Sequence, residues 1–284
     1  MHNDPDFVIR RMQRAEVDLA IEWAAAEGWN PGRHDAECFY AADPNGFLIG
    51  YAGDEPVGCI SVVAYDDSFG FLGLYIVRPA FRGKGFGLKL WQAGMAYLGT
   101  RNIGLDGVVA QQPNYKKSGF HLAYRNIRYE GVGRTAQAAA TAELVSLSVL
   151  PFEQLCAYDS ELFPVPRSRF LHNWLAQPDA TGFAALHDGR LAGYGLLRPC
   201  RRGYKIGPLF ADNEQLADAL FQALSECAVD APLFLDVPET NPAAVMLAQR
   251  HGMQVVFETA RMYTGPVPSL PIERIFGVTT FELG

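Results

Sequence analysis

The segment from Arg82 to Gly87 (Arg-Gly-Lys-Gly-Phe-Gly) has residue types that suit the binding of an anion. Its three glycines stand at alternate positions, where they permit backbone conformations and close approaches that side chains forbid. A predicted helix follows, and the free N–H groups at the start of a helix attract negative charge. Arg82 and Lys84 add positive charge. The loop is therefore predicted to bind a phosphate or pyrophosphate group, with an ordinary surface turn as the alternative.

Two common nucleotide-binding loops do not fit this segment. A Walker A loop needs Ser or Thr after Gly-Lys to hold magnesium, whereas Gly85 follows Lys84 in this sequence. A Rossmann fingerprint needs the spacing G-x-G-x-x-G within a parallel sheet. The glycines here are spaced differently, and the strands predicted before the loop form an antiparallel meander.

The first half of the sequence alternates between strand and helix patterns. Apolar runs predict strands at 7–12, 46–52, 56–65, 69–77, 103–110 and 121–129. Helical spacing of apolar residues predicts helices within 17–29, at 35–42 and at 88–98, and one helical turn at 114–118. The final strand is expected to expose one face and bury the other. The expected fold class is α+β, that is, mixed α/β.

A similar order of elements recurs after a polar, alanine-rich stretch, which suggests an internal duplication. Strands are predicted at 144–150, within 182–199 as a hairpin, at 204–210 and at 232–237. Helices are predicted within 151–176, at 213–228 with Asp212 and Gln215 as a capping box, and from Asn241 to Gly252. We place the domains at 1–131 and 143–284, with 132–142 as the linker.

The composition describes a globular protein with a hydrophobic core. Of 284 residues, 49% are hydrophobic and 19% are charged, and the formal net charge is −7. This acidic balance argues against a nucleic-acid or membrane partner, and no apolar stretch of about 18 residues could span a bilayer. Five scattered cysteines without a C-x-x-C pair indicate reduced thiols in the cytoplasm. The histidines lack metal-ligand spacing, so no metal is expected.

Two motifs together resemble the GNAT superfamily of acyl-CoA-dependent N-acyltransferases. The first is R-x-x-G-x-G at 82–87, which follows a strand end at Val77-Arg78-Pro79. The second, at 114–120, is Asn-Tyr-Lys-Lys-Ser-Gly-Phe and looks like the family's Y-x-K-x-G-F signature. The resemblance covers the whole first domain and implies acetyl-CoA as co-substrate. It also implies two GNAT-like domains, each a mostly antiparallel twisted sheet flanked by helices.

The resemblance also implies where the cofactor binds. Backbone groups of Ile76 and Val77 would pair with the pantetheine amides as though the cofactor were an added strand. The pyrophosphate would bind the backbone amides of the loop, whose members are Arg82, Gly83, Lys84, Gly85, Phe86 and Gly87. Asn114 would touch the pantetheine arm.

The implied chemistry is direct attack of a neutral amine on the acetyl carbonyl, followed by loss of the coenzyme A thiolate. Tyr115 is the candidate general acid, with a packing role as the alternative, and the N–H of Val77 or Ile76 would polarise the carbonyl. Many relatives place a basic glutamate on the strand before the loop, but 69–77 contains no acid. Five other carboxylates are possible bases, although each is better explained as a surface or capping group: Glu22, Glu27, Asp66, Asp67 and Asp106. We nominate none of them, and water is an equal alternative.

The acceptor is expected to be a primary amine of a small molecule or peptide. The resemblance places its site between the first helices and the meander, where Trp29 and Asn30 are candidate substrate residues. Asp236 and Glu239 of the second half are further candidates for attracting a cationic amine, with helix capping as the alternative. A non-catalytic acyl-CoA sensor and a nucleotide-binding protein are the competing functional hypotheses.

The second half is predicted to have lost coenzyme A binding. The segment 207–213 takes the place of the glycine loop and lacks two of its glycines and both of its basic residues. Ala248 stands where the signature tyrosine would be. We expect this domain to pack against the first one and to help shape the acceptor site.

Overall fold

A computed structural model describes residues 7–135 and 143–284 of the chain. The larger part of the predicted linker, residues 136–142, lies outside the described residues. Within the described part, no helix is both long enough and apolar enough to cross a lipid bilayer.

The elements of the first half follow the predicted order. In chain order they are β1 (Phe7–Arg11), α1 (Arg14–Ala26), α2 (Asp35–Ala42), β2 (Phe47–Ala52), β3 (Glu55–Ala64), β4 (Phe69–Val77), α3 (Phe86–Leu98), β5 (Asn102–Val108), α4 (Gln112–Lys117) and β6 (His121–Val132). Helix α3 begins inside the glycine loop, two residues earlier than the sequence pattern predicts. The predicted domain boundary at 131 falls at the end of β6.

The second half repeats this order and adds one short strand. Its elements are β7 (Glu143–Ser146), α5 (Phe152–Ser160), α6 (Ser168–Leu175), β8 (Thr181–His187), β9 (Arg190–Pro199), β10 (Tyr204–Ala211), α7 (Glu214–Glu226), β11 (Pro232–Pro238), α8 (Pro242–Arg250), β12 (Gln254–Tyr263) and β13 (Ile275–Gly277). The strand predicted at 144–150 is shorter than expected, because residues 147–149 turn into a 3₁₀ helix.

The predicted capping of the two later helices is half right. Asn241 caps α8 as expected, since its side-chain oxygen accepts from the N–H of Ala244 at 3.2 Å. Helix α7 is capped by Asn213, whose side chain accepts from Leu216, and the capping box predicted at Asp212 is therefore wrong. Asp212 instead accepts a hydrogen bond from Tyr158 at 2.9 Å.

All the strands belong to one mostly antiparallel sheet in which the two halves exchange strands. The order is β1-β2-β3-β4-β5-β12-β6-β11-β10-β9-β8-β7, and β13 pairs with β10. Strand β12 of the second half lies between β5 and β6 of the first half, while β6 pairs with β11 of the second half. Each half therefore depends on a strand from the other, which the linear order of the elements does not reveal.

Strand β6 is buried on both faces, which contradicts the prediction of one exposed face. Its residues 126–129 are buried consecutively. Ile127 and Tyr129 pack into the core under α7 and α8, and Arg128 on the opposite face bonds to Asp236. The reason is the strand exchange, because β6 lies in the middle of the sheet instead of at an edge of its own domain.

The strands β4 and β5 form a fork in the sheet. They pair in parallel only as far as Leu72 and Leu105, although both continue beyond that point. The register of β4 against β3 shifts between Gly73 and Ile76, and Leu74 in this bulge has a φ of 42°. A bulge bends its strand, so the edge of β4 from Gly73 onward is left without a strand partner on the β5 side.

Candidate active site

A cavity of about 510 Å³ fills the fork between β4 and β5. Its walls come from the diverging ends of both strands, the glycine loop, α4 and the loop after α1. Strand β12 and the last residues of the chain close the remaining side. Both halves of the chain therefore build this cavity.

Ile76 and Val77 lie on the diverging end of β4 and line the cavity, where the sequence places them. On their other edge they pair with Cys59 and Gly58 of β3. The edge toward the cavity carries backbone groups that an extended ligand can bond as an added strand.

The glycine loop turns tightly at the mouth of the cavity. Gly83 and Gly85 have φ values of 77° and 83°, which L side chains rarely adopt, and Gly85 is the N-cap of α3. No atom lies within 4 Å of a Cβ at either position, so backbone conformation alone requires glycine there. At Gly87 the requirement is space, because a Cβ would lie 2.8 Å from the Tyr75 hydroxyl. These features give free N–H groups at a helix start facing open space, the arrangement that binds anions.

The charged and aromatic side chains of the loop do not all face the cavity. Arg82 donates from Nε to the carbonyl of Val77 at 2.8 Å and forms an ion pair with Glu27. Lys84 lies 5.2 Å from the ring centre of Phe81 and forms no ion pair within the described residues. Phe86 is buried and stacks on Phe7, so only its backbone is available to a ligand.

Tyr115 lies on α4 and lines the cavity from the β5 side. Its ring packs so closely on Gly107 that a Cβ there would lie 2.2 Å from Cε2 of Tyr115. Trp91 stacks on the other side at 5.7 Å. Its hydroxyl has no hydrogen-bond partner among the described residues, which leaves it available to a ligand. Burial, with a smaller contribution from Tyr75, raises the pKa of Tyr115 to about 12, so the phenol stays protonated at neutral pH.

Asn114 and Asn30, two of the predicted binding residues, do not line the first cavity. Asn114 is exposed, donates to Gln111 at 2.8 Å and does not line the cavity, whereas Gln111 does. Asn30 lines a second cavity of about 400 Å³, and its side chain exchanges two hydrogen bonds with the backbone of Arg202. Trp29 lines the first cavity.

The two cavities share a wall formed by Arg128 and Phe257. Arg128 binds Asp236 through two hydrogen bonds of 2.6 and 2.7 Å and donates to the carbonyl of Trp29 at 2.6 Å. Burial lowers the pKa of Arg128, but the charge and hydrogen bonds of Asp236, followed by the charge of Glu282, raise it above its usual value.

The carboxylates that the sequence offered as bases mostly have other partners. Asp66 accepts from the backbone of Ser68 and Phe69 in a turn, Glu22 pairs with Arg201, and Asp67 is exposed. Glu27 and Asp106 do line the cavity. Asp106, however, accepts from Asn126 at 2.8 Å and from Arg261 at 2.9 and 2.6 Å.

Asp236 and Glu239 are also engaged by arginines. Asp236 is buried against Arg128, and Glu239 binds Arg125 at the surface. Neither caps α8, because Asn241 does so. Asp236 does not line the cavity itself, but it binds Arg128, which does.

Sequence reasoning missed the last residues of the chain as part of the site. Phe281 and Glu282 line the cavity, and Glu282 is buried. Beside them, the hydroxyl of Tyr65 donates to the carbonyl of Leu283 at 2.9 Å. No local motif marks this segment. It lines the cavity only because the last residues of the second half pack against the first half in the folded chain.

The corresponding fork of the second half is occupied by the chain itself. Strands β10 and β11 pair in parallel only from Tyr204 to Ile206. Beyond that point β13 pairs with β10 at Leu209 and Phe210, and the next N–H, of Val278, donates to the carbonyl of Asp236 on β11 at 2.8 Å. A peptide strand thus occupies the slot that is open in the first half.

Among residues 7–135 and 143–284, no group of three or more His, Cys, Asp or Glu side chains is arranged to hold a metal ion. The features that define the site are an open strand edge, an anion-binding helix start and a buried tyrosine. Together with the repeated fold, they define the class as an acyltransferase of tandem architecture.

Comparison with known proteins agrees with this class. The model of the acetyltransferase (GNAT) family matches residues 14–121, and the model of an acetyltransferase (GNAT) domain matches residues 155–277. The chain is 32% identical over 270 residues to a holothin acyltransferase from Pseudoalteromonas sp. (strain SANK 73390), which covers 95% of this chain and 92% of that protein. The chain therefore belongs to the GNAT family of acyltransferases and carries two GNAT domains.

Solved structures share the fold over nearly the full length. A candidate acetyltransferase from Pyrococcus horikoshii superposes with a TM-score of 0.84 at 23% identity, covering 98% of this chain and 96% of that one. A tandem GNAT protein from the clavulanic acid biosynthesis pathway superposes with a TM-score of 0.63 at 15% identity, covering 92% and 100% of the two chains.

Proposed function

We propose that the chain transfers an acetyl group from acetyl-CoA to a primary amine of a small molecule. The observation that carries the proposal is the open edge of β4 at Ile76 and Val77, which leads from the glycine loop to Tyr115 within one cavity. Pantetheine pairs with this edge, and the pyrophosphate binds the N–H groups of the loop. The five cysteines are all free thiols, which supports a reducing compartment such as the cytoplasm.

Positive charge near the loop supports binding of the coenzyme A phosphates. Lys84 on the loop and Lys116 and Lys117 on α4 are exposed and form no ion pair within the described residues. The Arg82 side chain is held by Val77 and Glu27, so we assign it to supporting the loop, while its backbone binds the pyrophosphate.

The reaction is direct attack of the amine on the thioester carbonyl. The backbone N–H of Ile76 or Val77 polarises the carbonyl oxygen. Tyr115 donates a hydrogen bond to the sulfur as negative charge develops there. Its pKa of about 12 lies above that of a thiol, about 8.5, so hydrogen bonding in the transition state is favoured over early proton transfer.

The acceptor binds on the side bounded by Trp29, Phe257 and Phe281. The loop after α1 is fixed to the second half, since Arg33 donates to the carbonyl of Pro199 at 3.0 Å. A polypeptide would have to displace such contacts, which favours a small acceptor over a peptide. The similarity to a holothin acyltransferase supports holothin as one of the acceptors to test.

An acceptor screen tests this function. The full chain is incubated with acetyl-CoA and polyamines, amino acids, aminoglycosides, short peptides or holothin, and free thiol and acylated product are both measured. We expect amine-dependent thiol release with a matching amide product for a small amine. Binding of acetyl-CoA without acylation of any amine would instead favour the acyl-CoA sensor.

A further inference from the structure

Glu282 is a buried carboxylate that forms no ion pair within 7–135 and 143–284, although its charge acts on Arg128 and Arg198. Three carboxylates line the cavity: Glu27, Asp106 and Glu282. Glu27 is paired with an arginine at the mouth, and Asp106 is bound by an arginine and an asparagine. Among the described residues, Glu282 accepts a side-chain hydrogen bond from Thr280 only, to Oε2. Oxygen Oε1 is thus free for a ligand.

The backbone places Glu282 at the apex of the fork. Its carbonyl oxygen would lie 2.1 Å from a Cβ at Gly73, so the two backbones are in direct contact. Gly73 begins the bulged part of β4, directly before the edge that we assign to the thioester. Glu282 therefore approaches this point from the β4 side and Tyr115 from the β5 side.

We infer that Glu282 is the catalytic base that accepts the proton of the attacking amine, an inference that rests on the proposed function. The strand before the glycine loop carries no acid, and the second half of the chain supplies one through its last residues. The sequence separation explains why the pattern of the first half alone gave no base.

The step balances without a further reactant. The amine nitrogen forms a bond to the acetyl carbon, and the C–S bond breaks with its electron pair going to sulfur. The nitrogen loses one proton to the Glu282 carboxylate, which passes it to solvent. The leaving thiolate is stabilised by the hydrogen bond from Tyr115 and then takes one proton from solvent, so the products are an amide and the free thiol, and Tyr115 keeps its own proton.

The test compares wild type with Glu282→Gln, which keeps the shape of the side chain and its ability to accept from Thr280. We expect kcat/KM for the amine to fall about 10²–10⁴-fold, the usual contribution of a general base. The dissociation constant for acetyl-CoA is expected to stay within about twofold, because Glu282 lies beyond the edge that binds pantetheine. Glu273→Gln is the matched control, since it removes a charge from an exposed position of the same segment and should leave both quantities unchanged.

The pH profile separates a base from a structural residue. The charge of Glu282 acts on two arginines, Arg128 and Arg198, and the other titratable groups that line its cavity are Glu27, Asp106 and Tyr115. All of them remain in the variant, so a change in profile reports on Glu282. We expect the deficit of Glu282→Gln to shrink as pH rises, because hydroxide then takes the proton that the Glu282 carboxylate accepts in the wild type.

The outcomes are distinct from those of the acceptor screen. If wild type acylates an amine and Glu282→Gln retains kcat/KM within about threefold, the base is wrong while the proposed function stands. The role of Glu282 as the base is also contradicted if the loss of kcat/KM does not change with pH and acetyl-CoA affinity falls by the same factor. If the Gln variant does not fold, Glu282→Asp is used instead, because it keeps the negative charge but moves it away from the thioester. A large loss in kcat/KM in this variant supports Glu282 as the base, and a wild-type kcat/KM contradicts that role.

Discussion

The carbonyl oxygen of Glu282 packs against the backbone of Gly73, so closely that a Cβ there would lie 2.1 Å from it, although the two lie 209 positions apart in the sequence. This contact joins the last residues of the second half to the bulge in β4 of the first half. The same segment first fills the fork of the second half as β13 and then lines the fork of the first. The segment from β13 to Glu282 thus fills the fork of the second half and lines the cavity of the first half.

Gly73→Ala is expected to separate these two backbones. The added Cβ would meet backbone atoms that cannot rotate away, and overpacking of this kind costs about 1–3 kcal/mol of stability. We expect a lower Tm and a loss of turnover that exceeds the loss of acetyl-CoA affinity. Gly131→Ala is the control, because the side chain of Met253 that it meets can move. An alanine variant at 73 with wild-type kcat and Tm would contradict this contact.

Gly85→Ala is expected to weaken acetyl-CoA binding with little effect on the rest of the fold. A residue with a side chain costs roughly 1–2 kcal/mol at such a φ, which corresponds to about a 5–30-fold higher Kd for acetyl-CoA. Calorimetric titration measures this change. Gly53→Ala introduces the same strain at a φ of 60° in the β2–β3 turn, away from the cavity. Equal effects of both variants on binding would argue against the loop as the phosphate site.

Tyr115→Phe is expected to lower the single-turnover rate about 10²–10⁴-fold while acetyl-CoA still binds. The variant removes a hydroxyl that has no hydrogen-bond partner in the described part of the chain, so folding should not suffer. Tyr129→Phe is the control, since Tyr129 is also buried but lies outside both cavities. A variant at 115 with unchanged chemistry would show that the tyrosine only packs.

The pH dependence of the same residue has a definite sign. Burial raises the pKa of Tyr115 to about 12, so its donor form persists as pH rises toward that value. We therefore expect no fall in kcat on the alkaline side below about pH 10 from this residue. A fall near pH 8 that disappears in Tyr115→Phe would contradict this expectation.

One acetyl-CoA is expected to bind per chain. In the second half β13 occupies the slot beside β10, and the helix start there carries Asp212 and Asn213 in place of the glycine loop. A bound strand and an acidic side chain both disfavour a phosphate ligand. Titration should give a stoichiometry of one, lost in a loop variant of the first half. Two sites per chain would contradict the loss of binding in the second half.

Arg261→Met is expected to destabilise the exchange of strands between the halves. Arg261 on β12 and Asp106 on β5 form a buried ion pair, and removing one partner leaves the other charge unpaired at a cost of about 3–5 kcal/mol. Denaturant unfolding measures this loss. Arg125→Met removes an exposed pair with Glu239 and should change stability little. If the two variants lowered the free energy of unfolding equally, the buried ion pair would contribute no more to stability than the exposed one.

Most of the local structure was predictable because its causes are local. The periodicity of apolar residues placed the helices and strands, and Asn241-Pro242 marked the start of α8. The glycine loop and the tyrosine motif identified the family because each motif is a contiguous set of residues. The capping of α7 failed because Asp212 is used by Tyr158, a contact that depends on a distant helix.

The sequence by itself determined that this is a tandem GNAT protein with one intact glycine loop. Only the tertiary structure decided that β6 and β12 change places, that β13 closes the second fork and that Glu282 enters the first cavity. Strand pairing and burial of a remote carboxylate depend on which surfaces meet after the chain has folded. Periodicity within one segment records which face is apolar, but it carries no information about the partner that covers that face.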